Sequence, residues 1–344
     1  MSSGGLRTRR AISSLCLEPH HGGALPPFLP GQFLTFELQI PDRPQPVVRC
    51  YSLSDTPTVR DRYRVTIKRL DPPPGKEDTP GELSSCYFRD VLKVGDVLDV
   101  QAPNGGFHLD IQSERPVVLI AGGVEVTPVL SMLKWLATNE THREVWFFYA
   151  VRSGRDIALR AEINRIIAGN SHFHSVTLFS APTPECEAAR AFDRKGKLSL
   201  DVLKETLGSS NYEFYVCGPP PMMEAITTAL EDWGVPEEDI RFEEFGPTSV
   251  KTVTHGEPAA GARSGVSVRF ARSGKTLTWN EADGTLLELA DANGVRVNAG
   301  CRAGNCGTCT TALREGRVSY VTKPAEGTAL LCIACPEGDL VLDA

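Results

Sequence analysis

The chain has 344 residues, 41% of them hydrophobic and 7% aromatic, and a formal net charge of −7. That length allows two or three domains, the composition is that of a globular protein, and the net negative charge argues against nucleic acid as a partner. No apolar run is long enough to span a bilayer, so no membrane partner is expected. Residues 1–10 lack an apolar signal core. Several of the ten cysteines are scattered singly along the chain, which suits a reducing cytoplasm and not a disulfide framework.

Residues 1–112 are rich in strand patterns separated by Pro/Gly turns. Leu34, Phe36, Leu38 and Ile40 alternate with polar residues, as do Tyr63, Val65 and Ile67. This period of two predicts an antiparallel β-barrel domain. Within it, Arg49-Cys50-Tyr51-Ser52-Leu53 follows a strand-like run. By residue type, Arg49 suits a phosphate, Tyr51 a flat ring and Ser52 a ring edge. Val65-Thr66-Ile67-Lys68-Arg69 comes next. Gly81-Glu82-Leu83-Ser84 then offers a glycine-started helix N-terminus, which suits a pyrophosphate. Pro103-Asn104-Gly105-Gly106-Phe107 closes the barrel.

The texture changes near Pro116, and residues 113–247 read as an α/β parallel-sheet domain. Val117-Val118-Leu119-Ile120-Ala121 is a continuous apolar run, expected of a strand buried on both faces. Helices are predicted over Pro128 to about Ala137, near Ile157–Ile167 and from about Pro221 to Trp233. Strands are predicted over 145–150, 174–178 and 214–217. The alternation argues for a parallel sheet with crossover helices. Ala121-Gly122-Gly123-Val124-Glu125-Val126-Thr127-Pro128 is a βα turn that lets backbone approach a dinucleotide, with Thr127 able to hydrogen-bond an amide. Val216-Cys217-Gly218-Pro219-Pro220-Pro221-Met222 ends a later strand at the same edge of the sheet. Arg152 and Arg155 follow the second strand, where arginine can accept a ribose 2′-phosphate.

Residues 248–264 are polar and unpatterned, and read as a linker. Residues 265–344 hold two short β runs, 266–270 and 276–279. A short helix follows over Thr285–Ala292 with Asp283 as its cap and Leu286, Leu289 and Ala290 as its buried stripe. Cys301, Cys306 and Cys309 form a C-x4-C-x2-C loop rich in glycine. With a distant fourth cysteine this is the spacing of a plant-type [2Fe–2S] site. A zinc site would normally pair two C-x2-C units. The fourth ligand is Cys332 or its rival Cys335.

These segments resemble the ferredoxin–NADP⁺ reductase superfamily: Arg-x-Tyr-Ser, Gly-x-x-Ser, Gly-Gly-x-x-x-Thr-Pro and Cys-Gly-Pro-Pro-x-Met occur in order. The last 80 residues resemble a β-grasp plant-type ferredoxin domain, whose Leu-x-Cys-x-Ala pattern places the fourth ligand at Cys332. The domain order is similar to phthalate dioxygenase reductase. Sequence detail, including Glu243-Glu244-Phe245-Gly246-Pro247, is similar to the reductase part of flavohaemoglobins. The resemblance implies FAD, with FMN as the alternative, held by Arg49, Tyr51, Ser52, Leu53, Thr66, Ile67, Lys68, Gly81, Leu83, Ser84 and Phe245. It implies NADH, with NADPH as the alternative, on Gly122, Gly123, Val124, Thr127, Pro128, Cys217, Gly218, Pro219 and Met222, with Ser52, Thr127 and Cys217 at the reacting centre.

The implied function is a cytoplasmic reductase passing electrons from NADH through FAD and the cluster to a terminal oxygenase, Rieske-type first. A cytochrome P450, a di-iron hydroxylase or a demethylase is the alternative client. A redox sensor without sustained turnover is the alternative of another class. One departure stands out: the family has Gly where this chain has Glu125. Its carboxylate either tilts into solvent or crowds the dinucleotide and repels its pyrophosphate.

Overall fold

The computed structural model describes residues 12–41, 47–70, 83–243, 265–297, 299, 304, 307–319 and 327–344. The chain divides into two compact units, Met1–Glu243 and Glu244–Ala344. The expected linker 248–264 lies outside the described residues.

In the first unit, β1 (Ile12–Leu17) pairs antiparallel with β4 (Tyr63–Lys68). The strand β2 (Phe33–Leu38) pairs antiparallel with β3 (Val47–Ser52) and with β5 (Asp99–Val100). An isolated bridge from Leu53 to Val65 joins the two sheets. They enclose one core of Leu34, Phe36, Leu38, Leu53, Val65 and Ile67, closed by Phe88. The predicted alternation buries Leu34, Phe36 and Leu38, but Thr35 is buried as well, because its hydroxyl is 3.3 Å from the Cys50 thiol. The short helix α1 (Leu83–Cys86) leads into a wider turn at Tyr87–Val91 and brings Ser84 and Phe88 onto this core.

The same unit carries a six-stranded parallel sheet of β6 (Val117–Gly122), β7 (Val145–Val151), β8 (Phe173–Phe179), β9 (Arg194–Lys195), β10 (Glu213–Cys217) and β11 (Ile240–Glu243). Its spatial order is β11-β10-β6-β7-β8-β9. The order reverses between β6 and β10. An open α/β sheet forms its crevice at such a reversal, outside the carboxyl ends of the strands. The crossovers are α2 (Val126–Asn139), α3 (Arg160–Ala168), α4 (Pro184–Ala188), α5 (Leu200–Leu207) and α6 (Pro220–Asp232). Pro128 in the first turn of α2, and Pro220 at the start of α6, stand where no backbone N–H is needed. The helix α3 starts three residues later than its pattern suggested. Gly154–Asp156 forms a tighter turn, and Leu159 takes a left-handed φ of 54° that interrupts the helix.

A charged cluster fastens α2 and α3 to the barrel. Lys134 of α2 donates to the Asp55 carboxylate and, at 2.8 Å, to Glu162 of α3. Glu162 also accepts from Arg64 of β4 at 3.0 Å, and the Ser131 hydroxyl donates to the Asp55 carbonyl at 2.6 Å. Across this cluster the glycine-rich turn ahead of α2 is held in fixed relation to the barrel.

In the second unit, β12 (Val266–Phe270) and β13 (Lys275–Trp279) form an antiparallel hairpin. β14 (Thr310–Glu315) and β16 (Thr328–Leu330) pair antiparallel, and β18 (Leu340–Leu342) lies parallel to β12 and antiparallel to β14. A short pair, β15 (Val318–Ser319) with β17 (Cys335–Pro336), stands apart. The helix α7 (Leu286–Ala292) packs Leu286, Leu289 and Ala290 into the core with Val268, Phe270 and Leu340. Its cap is Thr285, not Asp283. Thr285 and Glu288 exchange bonds with each other's backbone N–H, while Asp283 serves Asn280 in a separate turn. A capping box needs its acid three residues after the hydroxyl, and Glu288 meets that requirement for Thr285.

The cluster gives the first unit a pH signature. Burial alone would raise the Asp55 and Glu162 carboxyls, but Lys134 and Arg64 more than offset it and hold both below their ordinary values. A depressed carboxyl stabilises the fold above its unfolded pKa, near 4 to 4.5, and that contribution disappears as pH falls through the lower folded value. Lys134→Met leaves two carboxylates short of a half-buried cation. It is expected to cost about 3 kcal/mol at pH 7 and to flatten the acid limb of a urea-midpoint-versus-pH profile. An unchanged profile would show that the cluster contributes nothing.

Candidate active site

The carboxyl edge of the parallel sheet brings two glycine turns together. A Cβ on Gly122 would meet Pro219 at 2.6 Å, and one on Gly218 would lie 3.3 Å from the Gly122 α-carbon and collide with Met222. Packing therefore favours glycine at both positions, because the backbones at the ends of β6 and β10 approach closely, although at Gly218 the nearest obstacle is the flexible end of Met222. Gly123 has a φ of 62°, which glycine adopts without strain. Thr127 and Pro128 are buried in the first turn of α2, and Cys217 is fully buried at the end of β10. Burial pushes the Cys217 thiol well up, with Glu243 and Glu125 adding to it, so at neutral pH it is a neutral thiol and no nucleophile.

Tyr149 was not anticipated as part of this site. Its hydroxyl donates to the Gly123 carbonyl at 2.8 Å and accepts from the Ala158 N–H at 2.9 Å. Burial pushes its phenol far up, so it stays protonated and able to donate. A buried hydroxyl at the second strand of a parallel sheet is the only hint the sequence offered, and it is a weak one. Arg152 and Arg155 are exposed after β7, and Asp156 beside them lies 3.8 Å from Lys68.

Glu125 does not tilt into solvent. It precedes α2 without capping it, and its carboxylate folds back over the turn, an oxygen lying 2.9 Å from the place a Cβ on Gly123 would take. Burial raises its carboxyl, partly opposed by the N–H groups of Glu125 and Val124 and by Lys68.

On the barrel side, Ser52 ends β3 with its hydroxyl buried and without a hydrogen-bond partner among the described residues. An orphaned buried hydroxyl is costly, and it fits a polar ring edge supplied by a bound group. Tyr51 and Ser84 share a 2.8 Å hydrogen bond, and the Tyr51 ring meets Phe36 and Phe88 edge-on. Arg49 donates to the Val48 carbonyl at 2.8 Å. The Thr66 hydroxyl is engaged by Ser14 and Ser54, both at 2.9 Å, and the Ile67 side chain is in the core. Gly81, the Leu83 side chain and Phe245 lie outside the described residues.

In the second unit, Cys309 and Cys332 are both buried and their sulfurs are 3.2 Å apart. The Gly304 N–H donates to the Cys332 sulfur at 3.2 Å. Gly304 has a φ of 78°, and a Cβ there would meet Ile333 at 2.7 Å. The Cys335 thiol points elsewhere, 3.8 Å from the Gly284 carbonyl. Two converging sulfurs with a backbone donor fit one side of a [2Fe–2S] site. Cys301 and Cys306 lie outside the described residues.

Comparison with known proteins agrees with this geometry. Residues 119–228 match the model of the oxidoreductase NAD-binding domain, and residues 269–337 match that of the 2Fe-2S iron-sulfur cluster binding domain. A flavohemoprotein of Deinococcus radiodurans is 38% identical over 239 residues, 70% of this chain and 57% of that protein. The chain thus spans a little over half the length of the curated relatives it matches. The flavohem-like FAD/NAD binding domain of the nitric oxide dioxygenase of Vibrio cholerae is 30% identical, with a TM-score of 0.60 over 69% of this chain and 93% of that one. Phthalate dioxygenase reductase is 27% identical, with a TM-score of 0.61 over 97% of this chain and 94% of that one. The chain belongs to the ferredoxin–NADP⁺ reductase superfamily, in a form that adds a 2Fe-2S domain. Its matched domains, an oxidoreductase NAD-binding domain and a 2Fe-2S iron-sulfur cluster binding domain, are those of an NAD(P)H-dependent oxidoreductase. No helix among the described residues is long and apolar enough to cross a membrane.

Three substitutions test these placements. Tyr149→Phe strands the Gly123 carbonyl and the Ala158 N–H, at a cost of about 1–3 kcal/mol; a lower thermal midpoint and weaker NAD⁺ binding are expected, and an unaltered pair of values would remove Tyr149 from the site. Cys332→Ala is expected to abolish the visible absorbance and bound iron of the cluster, while Cys335→Ala leaves both intact; the reverse result would exchange their roles.

Proposed function

We propose that this chain is the reductase component of an oxygenase system, taking electrons from NADH and delivering them singly to a separate Rieske-type oxygenase. The observation that carries the reading is the union, in one chain, of a nicotinamide crevice at a sheet reversal with a unit in which Cys309 and Cys332 converge at 3.2 Å. Phthalate dioxygenase reductase, which matches nearly end to end, supports a separate oxygenase as the client. Likeness to a self-sufficient cytochrome P450 monooxygenase is 22% identical and speaks for the fold alone.

Bound together, NADH, FAD and a [2Fe–2S] cluster supply hydride acceptance and one-electron release. The protein positions them and keeps water out. In this reading Arg49 neutralises a flavin phosphate, with Ser84 in the first turn of α1 contributing and Gly81 and Leu83 also assigned to the flavin. The Ser52 hydroxyl bonds the ring edge, and Tyr51, Leu53 and Phe245 wall the ring. Thr66 and Ile67 contribute backbone groups, since the Thr66 hydroxyl is engaged and the Ile67 side chain is packed in the core. Lys68 supplies charge near the crevice. Gly122, Gly123, Val124, Thr127 and Pro128 receive the dinucleotide from one side, and Cys217, Gly218, Pro219 and Met222 from the other. Thr127 orients the carboxamide, and the neutral Cys217 thiol lies beside the ring without reacting. Cys301, Cys306, Cys309 and Cys332 ligate the cluster. No residue need move a proton for the hydride step.

Anaerobic stopped-flow mixing with NADH and then NADPH tests the proposal. Rapid flavin bleaching followed by cluster bleaching, faster with NADH, is expected; bleaching by neither donor would reject it. Ser52→Ala separates folding from function. Removing an orphaned hydroxyl is expected to leave the apoprotein as stable or more so, while flavin reduction by NADH slows about tenfold, the worth of one hydrogen bond to a charged centre. Unchanged reduction would detach Ser52 from the flavin.

A further inference from the structure

Residues 265–344 carry 8 Lys and Arg against 9 Asp and Glu, so this segment is nearly neutral, but its charges are unevenly spread. Beside Cys309, read above as a cluster ligand, lies an open groove whose wall includes Arg272, Arg296, Thr308, Thr310 and Asp343. Thr308 and Thr310 are the chain neighbours of Cys309. The Thr311 hydroxyl, also in the wall, donates to the Cys309 carbonyl at 3.3 Å. The groove therefore shares its backbone with a segment that carries a converging sulfur.

Cations dominate this face. Arg296 is exposed, and the side chains of Arg272 and Arg314 are more than half exposed. Asp343 is the one acidic side chain in the wall among the described residues, and it is shared by Arg272, at 2.7 Å, and Arg314. Lys275 stands at the rim beside Gly294, its ammonium donating to the Asn293 carbonyl at 2.6 Å. The Ala344 oxygen accepts from the N–H groups of Arg272 and Ser273 at 2.7 and 3.1 Å. Positive charge remains in surplus even with a carboxylate counted at Ala344. Between the charges the wall is small and apolar, at Gly294, Val297 and Ala312. A small-molecule site is concave, mostly apolar and encloses its ligand. An open groove with arginines around small residues has instead the make-up of a protein interface, where arginine is enriched.

We propose that this groove is the docking surface for the electron-accepting protein, which meets it with an acidic surface. The inference rests on the electron-transfer reading above and adds the face that is met and the sign of the partner's charge. One electron leaves the cluster and reduces the acceptor's own centre by one; no bond forms or breaks and no proton is transferred. Complementary charge acts chiefly on encounter, raising association rates about 10- to 1000-fold at low salt. Added salt removes the effect for exposed charges, because screening shortens their reach.

The test uses the flavin- and cluster-loaded full chain with two haem proteins as acceptors, acidic cytochrome b5 and basic cytochrome c. NADH-driven reduction of each is followed at low and high salt, about 20 and 300 mM, where the rate is proportional to acceptor. Binding of oxidised cytochrome b5 to the oxidised protein is measured separately by isothermal titration. Arg296→Glu and Lys275→Glu are the groove reversals, two so that one misfolded protein does not decide the matter. Arg317→Glu makes the same change in net charge at an exposed residue that pairs with Glu337 and does not line the groove. Each groove reversal is expected to slow cytochrome b5 reduction about tenfold at low salt and to weaken its binding to match, with the difference vanishing at high salt. Arg317→Glu is expected to stay near wild type, cytochrome c to be reduced no more slowly by any variant, and cluster bleaching by NADH without acceptor to be unaltered. Groove reversals that match Arg317→Glu, that slow cytochrome c instead, or that change only cluster bleaching would overturn the inference alone. Failure of wild type to reduce either cytochrome would overturn the electron-transfer reading with it.

Discussion

Lys134 reaches from the nicotinamide side of the first unit to Asp55 at the end of the flavin barrel, and shares its charge with Glu162. This contact fastens the middle of α2 to the barrel. The turn Gly122–Glu125 leads directly into α2, and β3 of the barrel ends at Ser52, three residues before Asp55. A half-buried ammonium between two carboxylates resists displacement, because each partner left alone carries an uncompensated charge in a partly desolvated place. Two lobes with quite different backbones thus hold a common edge in fixed register.

At that edge the chemistry depends on small residues and neutral groups. The approach of Gly122 and Gly218 leaves no room for side chains between the ends of β6 and β10. Cys217 is small enough to lie beside a ring and too deeply buried to ionise. Tyr149 ties the carbonyl of Gly123 and the N–H of Ala158 to one hydroxyl, so the turn and the start of α3 move together or not at all. Against this background the carboxyl of Glu125 stands out, lying over the turn beside Gly123. The second unit follows similar logic around sulfur: Gly304 presents its N–H to Cys332 because its own φ and the nearness of Ile333 exclude a side chain.

Much of the architecture was legible in the residues. The apolar run Val117–Ala121, the alternation through Leu34–Leu38 and the glycine-prolines after Cys217 fix strand types and turn positions by local sterics and burial, which act over a few residues. The C-x4-C-x2-C loop is equally local. Less legible were the late start of α3, which depends on the left-handed φ at Leu159, and the cap of α7, which is Thr285 paired with Glu288 and not the Asp283 two residues earlier.

By itself the sequence determined the strand and helix periods and the residue types at each turn, because these follow from side-chain size, branching and hydropathy along the chain, while the order of flavin, nicotinamide and cluster segments was implied by resemblance to a known family. The tertiary structure alone decided which distant groups meet: that Cys332 comes within 3.2 Å of Cys309, as the family pattern implied, that Tyr149 and Lys134 support the crevice, that the Ser52 hydroxyl is left without a partner among the described residues, and that Glu125 turns over Gly123. These are contacts across the fold, set by the direction in which a side chain leaves its backbone and by what remains to solvate it, and no local pattern specifies either.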